Sequence, residues 1–221
     1  MQQNSQIQEG QEVNQVSGFE TFVRKYQKIL SIGVIAVLVI VFGALAFNKW
    51  VAIPAQEEAK GQMFPAEYLV AQGEYEKALN GDGNILGFAQ IIDEYGAKAG
   101  ASVYLYAGIC AYKTADFEAA VNYFKKYDGK EPILKGKALA ALGDSYANLE
   151  KYDEAAAAYG KAAATADNIY TATYLFKKAG VLEQLGKETE ALKLYKEIET
   201  KYAQTPEAFE VSKYISRIEN K

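Results

Sequence analysis

Twenty consecutive residues without a charge, Ile29 to Asn48 (ILSIGVIAVLVIVFGALAFN), bracketed by Lys28 and Lys49, constrain this chain more than anything else in it. As a helix rising 1.5 Å per residue, the run covers about 30 Å, the thickness of a bilayer's hydrocarbon core. A soluble core helix of that length carries a polar face, and this run shows none at a period of 3.6. One transmembrane helix over 29–48 is expected, with a short tail before it and most of the chain after it.

Arg24, Lys25 and Lys28 stand before the run, and Lys49 and Lys60 after it. This bias favours a cytoplasmic N-terminus, with the C-terminal part across the membrane. A cleaved signal is the competing reading, because Ala44-Leu45-Ala46 has the small-x-small form. Against cleavage, the apolar run exceeds a signal's usual core, and the candidate site lies inside it. Tyr26 and Trp50 take interfacial positions on either side. Residues 1–28 are rich in Gln, Glu, Asn and Ser and are expected to be a disordered cytoplasmic tail.

The chain holds 24 Lys and Arg against 28 Asp and Glu, a net charge of −4 that is mixed along its length. Nucleic acid is therefore not an expected partner, since it needs clustered basic residues. There is no histidine, which excludes His-based triads and His-containing metal sites. Cys110 is the single cysteine, so no internal disulfide forms, and its apolar surroundings (YLYAGICAY) mark a core thiol. Asp93-Glu94 are adjacent and diverge on a helix, which argues against an acid/base pair. No catalytic constellation, cofactor or metal site is expected.

After the run, residues 49–72 read as a connector and a first helix, with Pro65 expected to end or kink it. Gly73 to Leu79 resembles a turn and helix start, and Asn80-Gly81-Asp82-Gly83-Asn84 a tight turn. Ile85 to Tyr95 places apolar residues on one helix face. The next part repeats itself: Ala120, Ala155 and Ala191 stand 35 and 36 residues apart. Small residues accompany them at Gly108, Gly143 and Ala179, and aromatics at Phe124, Tyr159 and Tyr195. Three copies follow, about 101–134, 136–169 and 172–204, within a repeat region of 73–203. The small residues let paired helices approach, and the aromatics are expected to fill the space between successive pairs. Thr205, Pro206 and Glu207 open a last helix over 205–221, with Thr205 as N-cap, closing the apolar end of the array.

This pattern resembles the tetratricopeptide repeat, a pair of antiparallel helices. Ala111 and Glu188 depart from it, where an aromatic is usual. The resemblance implies an all-α chain: one transmembrane helix, then an α-solenoid of helix pairs with a C-terminal capping helix. It also implies a groove lined by the first helix of each pair, which binds a protein or peptide segment. By position the groove residues are Leu105, Ile109 and Tyr112 in the first copy, Lys137, Asp144 and Asn148 in the second, and Thr173, Phe176 and Lys177 in the third. The family's carboxylate clamp is missing, since Leu105, Ile109 and Gly180 occupy its places.

The layout is similar to the YfgM type of membrane-anchored tetratricopeptide proteins. EKALNGDGN, IIDEY and YAGICAY resemble its versions in the Bacteroidota. That likeness implies a non-catalytic scaffold in the bacterial inner membrane, its C-terminal domain in the periplasm, serving as an ancillary subunit of the Sec translocon. Its partners are then translocon subunits, periplasmic chaperones or emerging chains. An adaptor for cell-wall synthesis or outer-membrane assembly is the alternative, and a secreted enzyme a more distant one. Pairing of two copies through an open repeat edge also remains open.

Overall fold

The computed structural model describes residues 18–220, and among these every regular element is helical. The chain divides into two units, Met1–Ile53 and Pro54–Lys221. The first contains α1 (Gly18–Phe47), followed by one π-helical segment, Asn48–Ala52. Ile32, Ile40 and Phe42 are among its exposed large side chains, and no protein covers the apolar stretch. α1 is long and apolar enough to span a membrane.

The helix starts at Gly18, so residues 18–28 of the expected disordered tail are helical. Composition misled here because extending a helix costs far less than nucleating one, and the apolar run supplies the nucleus. Phe22 and Tyr26, one turn apart with ring centroids at 4.9 Å, add a side-chain pair. The rest of the expected tail, residues 1–17, lies outside the described residues.

In the second unit α2 (Ile53–Ala71), α3 (Tyr75–Asn80) and α4 (Phe88–Tyr95) lead into three helix pairs. These are α5 (Ala101–Lys113) with α6 (Phe117–Lys126), α7 (Pro132–Asn148) with α8 (Tyr152–Thr165), and α9 (Thr171–Gln184) with α10 (Glu188–Lys201). α11 (Pro206–Glu219) ends the array and packs on α10 and α9. Helices mostly contact their neighbours along the chain, which fits an α-solenoid.

Two local expectations need correction. α2 runs through Pro65 rather than ending there. Proline removes one backbone bond and crowds the carbonyl four residues back, that of Gly61. Ala59, Met63, Ala66 and Leu69 bury one face on both sides of the proline and hold the helix together. Helix α4 begins only at Phe88, because Ile85 to Gly87 close the turn in which Asp82 accepts from the Asn84 and Ile85 amides at 2.9 and 3.0 Å. Those two donors hold the Asp82 carboxyl below its ordinary range.

One turn recurs four times. Between α5 and α6, Ala115 takes φ +62, its amide donates to Tyr112 O, and the Asp116 amide reaches back to Ala111 O. Glu150 (φ +58) does the same between α7 and α8, and Gly186 (φ +71) between α9 and α10. Gly73 (φ +81) repeats it between α2 and α3, with Glu74 N donating to Leu69 O. This is a Schellman closure, in which a left-handed residue turns two amides onto orphan carbonyls of the last helical turn. The turn between α2 and α3 thus has the same closure as the turns of the three pairs.

Inside the first two pairs a glycine faces an aromatic. A Cβ at Gly108 would lie 2.6 Å from Phe124 Cε1, and one at Gly143 would lie 2.6 Å from Tyr159 Cε1. Phe124 and Tyr159 thus lie on the glycine of their own pair, and the aromatics also reach the following helices: Lys177 of α9 sits 5.9 Å from the Tyr159 ring centre, and Tyr195 stacks on Tyr214 of α11. Close helix approach is what makes room for the ring, so the two features are one contact.

A single apolar core extends from Ala59 to Ile215. Cys110 is fully buried in it, and burial pushes the thiol up to about 12, which leaves almost no thiolate at neutral pH. The Tyr174 hydroxyl is the one buried side-chain polar atom without a partner among the described residues. Leaving such a group unpaired costs about 1–3 kcal/mol. Tyr174→Phe is therefore expected to stabilise the full chain by about 1 kcal/mol, seen as a raised thermal midpoint in detergent micelles. A lowered midpoint would show that the hydroxyl is paired after all.

Candidate protein-binding face

The first helices of the three pairs, α5, α7 and α9, supply the face. Leu105, Ile109 and Tyr112 are spaced by four and three residues on α5, so they share one side. Lys137, Asp144 and Asn148 do so on α7, and Thr173, Phe176 and Lys177 on α9.

The polar members of this set bond to one another. Lys177 Nζ lies 2.7 Å from both Asp144 oxygens, joining α9 to α7. The Tyr159 hydroxyl donates to Asp144 Oδ1 at 2.6 Å, bringing in α8. Asn148 Nδ2 donates to Asp144 O at 2.8 Å and makes a longer 3.4 Å contact with the Tyr112 hydroxyl on α5. Burial and the adjacent Asp144 carboxylate push the Tyr159 phenol well above its ordinary range.

The other residues take separate partners. Thr173 donates to Glu207 of α11 at 2.6 Å. Phe176 packs against Tyr195 and Tyr214, with centroids at 5.9 and 5.4 Å. Lys137 Nζ sits 4.4 Å from the centre of the Tyr170 ring. Leu105 and Ile109 are half-buried, each resting on the core with an edge left in solvent.

A second cluster was missed in the sequence. Glu183 accepts from the Tyr195 hydroxyl at 2.6 Å and from Arg217, so α9, α10 and α11 are joined as α7, α8 and α9 are by Asp144. Tyr195 and Tyr214 stack beside it with centroids 5.1 Å apart. Burial first, then the Glu183 carboxylate, pushes the Tyr195 phenol up. Thr205 also differs from expectation: it stands at the N-cap of α11, but its hydroxyl donates to Tyr202 O at 2.8 Å.

A common spacing was the available signal. Asp144 and Lys177 are 33 residues apart, while Glu183 and Arg217, Asp153 and Lys187, and Thr173 and Glu207 are each 34 apart. Tyr202 and Asp167 stand 35 apart, and Tyr112 and Asn148 36. Each bond therefore links residues one repeat apart. Exposed pairs of this kind contribute about 0–1 kcal/mol each, so they set the register of neighbouring pairs more than they stabilise the core.

Chemically, the face suits recognition. Leu105 and Ile109 offer apolar edges, and Asn148 keeps its carbonyl oxygen free to accept. Among the described residues no three His, Cys, Asp or Glu side chains gather where they could hold a metal. A comparison with protein-family models finds no match, and neither does one with curated proteins.

Proposed function

We propose that this chain is a membrane-anchored tetratricopeptide-type scaffold, held by one span over 29–48, that binds protein segments on its α5–α7–α9 face. The support is the set of bonds between residues one repeat apart, together with the turn that recurs at Gly73, Ala115, Glu150 and Gly186. Both are features of a repeat array, whose ordinary work is to present an extended surface to a partner. The apolar α1 is the anchor.

The positive charges before that helix support an N-terminus in the cytoplasm, and in this reading the array lies in the periplasm of a bacterial cell. In this reading the protein is an ancillary subunit of the Sec translocon, linking it to chaperones or emerging chains. Leu105 and Ile109 hold apolar side chains of the bound segment, while Tyr112 and Asn148 meet its backbone. Lys177 and Asp144, already paired, keep α7 and α9 in register beneath it.

A photo-crosslinking residue at position 112, followed by purification from native membranes in mild detergent, tests this directly. Translocon subunits and periplasmic chaperones are the expected adducts. Adducts confined to cell-wall or outer-membrane machinery would replace the Sec assignment, and the absence of any protein adduct would defeat the reading of this face.

A further inference from the structure

On the other side of the second pair lies a cleft of about 520 Å³, lined by Lys130, Lys135 and Lys161 around Pro132 and Leu139. No carboxylate lines it. The three lysines are exposed, and none has an ion pair among the described residues. Glu131, the acid nearest in sequence, is committed elsewhere: its oxygens cap α7 by accepting from the Ile133 and Leu134 amides at 3.1 and 2.6 Å. On the α7–α9 face, by contrast, Lys177 is neutralised by Asp144. A chain with net charge −4 thus gathers three uncompensated ammonium groups around one cleft.

Leu139 and Lys161 also line a second cleft of about 330 Å³, which makes the two one continuous furrow. Its far half is floored by Leu142 and Tyr146 of α7 and walled by Phe124 of α6 and Ala158 of α8, and Glu154 is the one carboxylate on that half, which confines a ligand's acidic side chains to the lysine end. Lys125 lies along the same wall, 5.5 Å from the Tyr146 ring centre. The furrow therefore has a cationic end and an apolar floor.

We propose that this furrow docks an acidic, amphipathic segment of a partner protein, with carboxylates on Lys130, Lys135 and Lys161 and apolar side chains over Leu139. The carboxylates relieve the mutual repulsion of the ammonium groups, and the apolar side chains supply the buried area that an ion pair at a wet surface lacks. The furrow is formed by α6, α7 and α8, so it is independent of the partner assigned to the α5–α7–α9 face. The array then carries two surfaces of different chemistry and can hold two proteins at once.

The test uses the full chain in phosphatidylcholine nanodiscs and a fluorescein-labelled 14-residue peptide of glutamates with leucine at every third or fourth position. Fluorescence anisotropy should show binding that weakens as salt rises. The same peptide with lysine for glutamate should bind at least tenfold more weakly. The triple variant Lys130→Gln/Lys135→Gln/Lys161→Gln should lose at least tenfold in affinity, and the three single variants should each lose part of it. Lys193→Gln, at an exposed lysine of α10 outside both surfaces, should change nothing. Equal binding of the two peptides, or undiminished binding by both the triple and single variants, overturns the proposal. So does a result in which phosphatidylglycerol vesicles bind through these lysines and the acidic peptide does not, since the furrow then faces a membrane.

Discussion

Gly143→Ala is expected to destabilise the array by about 1–3 kcal/mol, although alanine is the better helix former. A Cβ at Gly143 meets three atoms of the Tyr159 ring at 2.6, 2.7 and 3.0 Å. The ring cannot swing aside, because it is buried and its hydroxyl is held by Asp144 at 2.6 Å. Either α7 and α8 separate or the hydrogen bond breaks, and both cost more than the roughly 1 kcal/mol that alanine gains over glycine in a helix. Gly108→Ala meets Phe124 at the same distances and is expected to behave alike. Gly180, on α9, is the counter-case, since a Cβ there meets nothing within 4 Å. Gly180→Ala should therefore stabilise by about 0.5–1 kcal/mol. Thermal unfolding of the full chain in detergent micelles, followed by circular dichroism, reads both signs in one experiment. A Gly143→Ala protein as stable as the parent would show that the ring does not rest on the glycine.

Tyr195→Ala should have the larger effect, about 3–5 kcal/mol. Its ring is fully buried, stacked on Tyr214 and against Phe176, and its hydroxyl donates to Glu183. Truncation opens a cavity where α9, α10 and α11 meet, and leaves the Glu183 side chain, only 15% exposed, with Arg217 alone. Tyr195→Phe separates the two parts. It keeps the packing and removes only the bond to a charged acceptor, for an expected loss of about 1.5–3 kcal/mol. Loss of α11 from the array should precede global unfolding in the alanine variant, and faster amide exchange over Pro206–Glu219 is the signature. If Phe and Ala cost the same, the ring contributes nothing and the cluster is misread.

These effects also mark where the sequence was legible. Ala120, Ala155 and Ala191 are all fully buried, as their even spacing required, because a helix pair has room there for a methyl group and no more. The same logic identified Gly108, Gly143 and the aromatics as packing positions, and what it did not give was the direct seat of the Phe124 and Tyr159 rings on their own pair's glycine. Of the candidate binding residues, the sequence located the shared faces of α5, α7 and α9 but not their bonds. Asp144 and Lys177 were singled out as separate groove positions and turn out to be partners.

Periodicity and composition determined by themselves the apolar N-terminal helix, the helical pairs and the register of small against large side chains. Those features follow from local chemistry: backbone satisfaction in an apolar run, and a 3.6-residue repeat of burial. Tertiary structure alone decided the rest. Ala115 and Glu150 take left-handed conformations that only Gly186 and Gly73 advertise, because the closing hydrogen bonds and the packing of the two helices offset the strain. Pro65 stays inside α2 because the buried faces on both sides of it outweigh one lost backbone bond. The cross-repeat bonds exist only once successive pairs have stacked, since residues 33 to 36 apart have no local reason to meet.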